Sequence, residues 1–373
     1  MIEELKKLFR GKLFVSLILL SVLVNAGLLL MQKGKIDGLR VIDDFCRENG
    51  SVVSEEKVEQ LSKIWDEKVV QDISGEELES NIESAEKYYE SIQSINIAMA
   101  YCNQMRLEGK AAEFVQMEFG KLDSQIQEAA EQEITFFPPY RMYTFDFISS
   151  YLLFVMNLEG IVAAVIVTLY SLDLERSSRT ISTVYSTRKG SKILKDKLAA
   201  SVAGSLICFL AITVTTFLLA GCMFPVKTIM NTLISNPMVS LKGVPCIAKE
   251  TMTVGMYMFA SLGMSGVLVV IYSLGSFAIG LKAKNGYFAF GILIVLLGIM
   301  KVFSAAAPTS TCMFFWTQYN PLDLALKAGT WFLYNANNFS PSGYEKCTIA
   351  IWISACVAGC ICGFHSLRKE VKQ

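Results

Sequence analysis

Residues 173–197, DLERSSRTISTVYSTRKGSKILKDK, lie between two long apolar runs and carry seven basic side chains: Arg176, Arg179, Arg188, Lys189, Lys192, Lys195 and Lys197. A short basic loop between two apolar spans stays in the cytoplasm, because Lys and Arg set the orientation of the spans beside them. Leu174, Ile181, Val184 and Tyr185 recur at i, i+7, i+10 and i+11, one face of a helix of period 3.6. The TRKGS step at 187–191 interrupts the pattern, and a second basic helical stretch leads into the next span. The stretch reads as a short amphipathic helix on the cytoplasmic membrane surface, and it orients everything on either side.

Working outward, the chain has 373 residues, is 53% hydrophobic and has a mean hydropathy of +0.42. That is too apolar for an ordinary soluble protein and suits a polytopic membrane protein. Runs at 13–31, 146–171, 198–222, 253–280, 286–305 and 348–365 are each of about the length that crosses a bilayer. The first lacks a small-residue cleavage pattern and reads as a retained signal anchor. Before it, Ile2, Leu5, Leu8 and Phe9 share one helical face, as in a helix lying in the inner interface. Net charge is zero, yet it is sorted by segment: residues 32–145 hold 23 Asp/Glu against 12 Lys/Arg. This sorting sets topology and gives no sign of nucleic-acid binding.

The expectation is therefore an all-α polytopic membrane protein in the cell (plasma) membrane, multi-pass, with six transmembrane helices and both termini cytoplasmic. A helical extracytoplasmic domain stands between the first and second spans. The parts are 1–31 (interfacial helix and first span), 32–145 (extracytoplasmic domain) and 146–373 (five spans with the loop 173–197).

Within 32–145 the periodicity is that of soluble helices. One run carries Val58, Leu61, Ile64 and Trp65. The next opens on a capping box, Ser74 with Glu77, and continues through Leu78, Ile82, Ala85, Tyr89, Ile92, Ile95 and Met99. A third carries Phe114, Val115, Phe119, Leu122 and Ile126. The density is that of a small bundle or hairpin.

Candidate functional residues are few. Asn157 and Glu159 fall inside the second apolar run, where a carboxylate is costly enough to mark a transport path or a subunit contact. Cys46, Cys102, Cys312 and Cys347 fall in segments expected outside, where Cys46–Cys102 and Cys312–Cys347 are possible disulfides; spacing alone does not decide connectivity. Cys356, Cys360 and Cys362 have no His or carboxylate on their face and read as packing residues, not a metal site. No phosphate-binding loop, HExxH or GxSxG occurs in the sequence. No catalytic role, cofactor or metal is expected in this chain.

The stretch 173–197 resembles the signature loop of ABC transporter permeases of the type-2 membrane-domain family. There a Glu-Arg pair ends the second span, a Gly-Thr-Leu-like step and a Thr-Pro-x-x-Arg-like turn follow, and a Lys opens the third. Here Glu175 and Arg176 stand at the first position, Thr180 and Ile181 at the Thr-Leu, Ser186 and Thr187 at the turn, and Lys197 at the closing Lys. Arg179 replaces the usual Gly, and Arg188 stands where Pro is common. The six-span layout is similar to the family over the whole chain, as is the short apolar piece at 321–334 before the last span. The resemblance implies a permease subunit of an ATP-driven exporter that forms the membrane path as a dimer, with a second copy or a related permease. Its loop would dock on a separate ABC ATPase subunit through Glu175, Arg176, Arg179, Thr180, Ile181 and Arg188, with ATP bound on that partner and membrane lipid around the spans. The alternative is a non-transporting membrane sensor or scaffold, of a secretion or receptor type, in which the helical domain is the functional part.

Overall fold

A computed structural model describes residues 1–69, 74–89, 92–138, 144–177, 190–225, 227–239, 247–334 and 339–370. Among the described residues the protein is helical apart from one two-residue ladder and two isolated bridges, and six helices are long and apolar enough to cross a membrane: Lys12–Met31, Thr144–Leu174, Lys192–Met223, Val254–Lys282, Gly286–Ala306 and Tyr344–Ser366. These match the six apolar runs of the sequence. The second and fourth are the most buried and form the centre, with the third against both. The sixth packs on the fourth, the first on the third, and the fifth on the fourth and second. Small residues permit this closeness: a Cβ on Gly280 of the fourth span would stand 2.5 Å from Leu172 of the second.

Between the first two spans stand six short helices in two triplets. The first triplet is Ile36–Asn49, Glu55–Lys68 and Gly75–Glu86; the second is Ser94–Met105, Gly109–Gly120 and Asp123–Ala130. Leu61, Trp65, Leu78 and Ile82 turn inward as the periodicity requires, and Ser74 caps its helix by accepting from the Glu77 N–H at 3.2 Å. The run through 74–99 is two helices, not one. Ile95 and Met99 extend the earlier register but are exposed, while Ile97, Ala98 and Tyr101 face the core.

The two triplets have separate cores, and neither closes on itself. The first shares its cluster with Phe145, Ile148, Val254 and Tyr257 at the span ends and with Ile229 and Ile234. The second shares its cluster with Ala307, Phe314, Phe315 and Phe339. Where a small bundle or hairpin was expected over 32–145, two triplets stand whose apolar faces find their partners in later segments. The ladder of Ile247–Ala248 with Leu333–Tyr334 straddles both: Ala248 and Leu333 face the first core, Ile247 and Tyr334 the second. That follows from the alternation of side chains along a strand. Polar ties finish the joint. Glu118 of the second triplet accepts from Ser342 N–H at 2.9 Å and Ser342 Oγ at 2.8 Å, just before the sixth span. Lys249 Nζ reaches Glu345 Oε1 at 2.9 Å.

Candidate functional site

The second span begins irregularly. Thr144–Asp146 is one α turn, Phe147–Leu153 is π-helical, and regular helix runs over Phe154–Ser177. Asn157 and Glu159 follow the π turn, two residues apart, and so face different neighbours. Asn157 is fully buried and donates from Nδ2 to the Ala325 carbonyl at 3.1 Å, which fixes the short helix Pro321–Leu326 to the span. Glu159 is half-buried and turns to the first span. Asn25 Nδ2 donates to Glu159 Oε2 at 2.9 Å and to Thr216 Oγ1 of the third span at 2.9 Å. Ser21, one turn earlier, also hydrogen-bonds to the carboxyl. Among the described residues no Lys or Arg pairs with Glu159, and the fully buried Asn25 Oδ1 has no partner. The two sequence candidates therefore belong to different places. Asn157, whose own Oδ1 has no partner either, is a fastening, whereas Glu159 sits in a polar cluster that joins three spans. Asn25 and Thr216 were not singled out as its partners; Asn25 was visible as the one strongly polar residue of its apolar run.

At the end of the bundle where the basic loop emerges, helix reaches Ser177 on one side and starts again at Gly190 on the other. Arg179, Thr180, Ile181, Arg188 and the turn at Ser186 and Thr187 lie outside the described residues, as do the side chains of Glu175 and Arg176. Lys197, at the position where the resemblance has a Lys opening the third span, lies in the helix Gly190–Met223, fully buried, and donates to the Ser171 carbonyl at 2.9 Å. Its charge is met by Glu4 Oε2 at 3.4 Å on the N-terminal helix Ile2–Arg10. Burial pushes the Glu4 carboxyl up, but the Lys7 hydrogen bond and the Lys197 charge outweigh it and hold the group below its ordinary value. That N-terminal helix rests on protein as much as on any interface. Leu8 is buried with Val167, Cys208 and Phe14, while Ile2 and Phe9 stay exposed.

A second tether lies beside the first. Asp173 Oδ2 accepts from the Gly286 N–H at 2.7 Å, at the first turn of the fifth span, where a carboxylate complements the helix dipole. A Cβ at position 286 would stand 2.4 Å from that oxygen, so the close approach requires glycine. Both flanks of 178–189 are thus fastened to neighbours: Ser171 and Asp173 on the second span, Lys197 on the third, Glu4 on the N-terminal helix and Gly286 on the fifth span.

On the other side of the bundle, Lys301 does not extend into the interface as its position suggests. Its Nζ meets Asp323 Oδ1 at 2.6 Å, while Ser304 Oγ and Asn320 Nδ2 each donate to Oδ2 at 2.6 Å. Cys46, Cys102, Cys312 and Cys347 are free thiols in the structure. Cys46 packs in the first core and Cys102 in the second, so that pairing is not formed; Cys312 donates to the Lys110 carbonyl at 3.7 Å, and Cys347 is exposed. Burial, with Asp43 beside it, pushes the Cys46 thiol up to about 11, which keeps it protonated and slow to react. No metal-holding group of His, Cys, Asp or Glu occurs among the described residues. No protein-family model, curated protein or solved structure matches this chain.

Proposed function

We propose that this chain is the permease subunit of an ATP-driven exporter of the ABC type-2 kind, working as a dimer with a second copy or a related permease. In this reading it sits in the plasma membrane with both termini cytoplasmic, and the helical region 32–145 is extracytoplasmic. ATP is hydrolysed on a separate subunit docked beneath residues 173–197. The observation that carries the reading is the pair of polar tethers flanking those residues. Lys197 on Ser171 and Glu4, and Asp173 on the Gly286 N–H, join the loop ends to the second, third and fifth spans and the N-terminal helix. A push delivered at 178–189 therefore reaches the bundle through fixed contacts. The second span would pass it to the cluster of Glu159, Asn25 and Thr216, where the spare acceptor on Asn25 leaves room for a changed arrangement.

The test is purification of the tagged full chain in mild detergent. A co-eluting subunit that hydrolyses ATP and has no spans is the expected result. A chain that purifies intact without one overturns the reading, and the scaffold alternative then takes its place.

A further inference from the structure

Glu159 is the only Asp, Glu, Lys, Arg or His in residues 147–172, and none of these five occurs in 13–31, 198–222 or 254–281, the spans packed around it. The fifth span brings Lys301, but that ammonium meets Asp323. The other titratable side chains of the four segments are Tyr151, Tyr170, Cys208, Cys222, Tyr257 and Tyr272, and thiols and phenols supply no positive charge. Ionised, Glu159 would be a lone net charge at membrane depth, and a charge left there without a partner neutralises instead. Its hydrogen bonds come from neutral groups only: Asn25 Nδ2 at 2.9 Å and Ser21. The same Nδ2 stands 2.9 Å from Thr216 Oγ1, so one amide lies between an oxygen of the second span and an oxygen of the third. The other end of that amide, Asn25 Oδ1, is buried and has no partner.

We propose that Glu159 is a binding site for one proton, taken up and released at membrane depth, and that Asn25 turns its amide to follow it. The carboxylate and a hydronium ion give a carboxylic acid and water, and the new O–H then needs an acceptor. Asn25 Oδ1 is that acceptor. A half-turn of the amide exchanges Nδ2 for Oδ1, which accepts from the Glu159 O–H and from the Thr216 hydroxyl, a group that donates as well as accepts. In the charged form the amide keeps the orientation seen, with Nδ2 donating to both oxygens. A metal ion does not fit in its place: Nδ2, at 2.9 Å from each oxygen, fills the space between them, whereas a proton needs none. The carboxyl is half-buried, so one side of it stays open for exchange. Gain or loss of the proton thus resets a link that runs from the second span through the first to the third. The inference needs only that the six helices cross a bilayer and does not rest on the transport reading.

The test is infrared spectroscopy of the full chain in mild detergent, read in the carbonyl-stretch region of protonated carboxylic acids. Asp323, Glu118 and Glu345 each meet a lysine and so stay ionised at neutral pH, giving no band there. The wild type should show one carboxylic-acid band at neutral pH that disappears reversibly as the pH is raised. Glu159→Gln should lack it. Asn25→Leu should keep the band but move it, since the acid has lost its acceptor, which a merely structural asparagine would not do. Should Glu159→Gln fail to fold, Glu159→Asp keeps the acid on a shorter side chain and should move the band without removing it. Glu159→Gln with the wild-type spectrum overturns the proposal, and so does a band that persists to the highest pH the fold survives. Loss of the band on adding sodium chloride but not choline chloride also overturns it, in favour of a metal ion.

Discussion

Two carboxyl groups set against the spans are treated in opposite ways. Asp323 is buried, and its two oxygens receive Lys301, Ser304 and Asn320, all at 2.6 Å. Glu159 is half-buried within the second span, takes its hydrogen bonds from the neutral groups of Asn25 and Ser21, and has no cation among the described residues. The first arrangement is a finished network, which makes a rigid joint between the fifth span and the short helix Pro321–Leu326. The second is unfinished, and an unfinished polar group in hydrocarbon costs stability that only a function repays. The contrast separates a carboxyl that holds the bundle together from one whose polar surroundings are left incomplete.

The largest effect should follow from breaking the finished network. Asp323→Ala strands three donors, of which Ser304 and Asn320 are buried, and should lower stability by about 2–4 kcal/mol after discounting the half-exposed Lys301. Thermal unfolding in detergent reads it, and a wild-type melting temperature would show that the network carries nothing. The same joint has a pH signature. Burial pushes the Asp323 carboxyl up, but hydrogen bonds from Lys301, Ser304 and Asn320 outweigh it and hold the group below its ordinary value. A depressed carboxyl contributes stability at neutral pH that is lost as pH falls from the ordinary carboxylate range through the folded value. Asp323→Asn should remove that acid-side loss.

A smaller effect, of the same sign but on the alkaline side, is expected next door. Burial lowers the Lys327 amine to about 8, and its Nζ donates to Gln318 Oε1 at 2.8 Å and the Phe339 carbonyl at 3.1 Å. Between about 8 and the ordinary lysine value the unfolded chain binds the extra proton, so stability should rise with pH there. Comparing wild type with Lys327→Met in denaturant titrations at pH 7 and pH 9.5 isolates the slope, and identical slopes would contradict it.

The smallest effect on stability should come from Glu159→Gln. No charge partner is stranded and the hydrogen bond from Asn25 survives, so the change should stay within about 1 kcal/mol. If the proposed transport reading holds, substrate-dependent ATP hydrolysis by the partner should nevertheless fall, since the span that carries the movement has lost its carboxylate. A variant that loses stability while keeping its rate would reverse the comparison.

The architecture was legible because lipid forces it. Six apolar runs became six long helices, since a bilayer leaves the backbone no other means of satisfying its own polar groups. Helical periodicity in 32–145 was equally readable, and the Ser74–Glu77 cap formed as its spacing required. What could not be read was which faces meet. The two triplets draw on Ile229, Tyr257, Phe315 and Phe339, residues more than 100 positions away from them, and no local pattern encodes such pairing. The partners of Lys197 and Lys301 were hidden for a related reason: Glu4 and Asp323 come from other segments to meet them. Of the candidate site, Glu159 was visible as a carboxylate in an apolar run, but the fastening role of Asn157 depends on Ala325, 168 residues later.

The central claim is that residues 173–197 dock an ATPase, and coupling measures it most directly. Glu175→Ala and Arg179→Glu, with Lys372→Ala as a charge control outside that stretch, are purified with their partner, and ATPase recovered per permease and membrane ATPase rate are read together. Reversing or removing a charge buried at such an interface typically costs about 2–5 kcal/mol, enough to lose co-purification. The account predicts that Glu175→Ala and Arg179→Glu lose the ATPase or its rate while the melting temperature and the control stay at wild type. Both variants holding ATPase and rate at the wild-type level would contradict it, leaving the basic loop as a signal for topology alone.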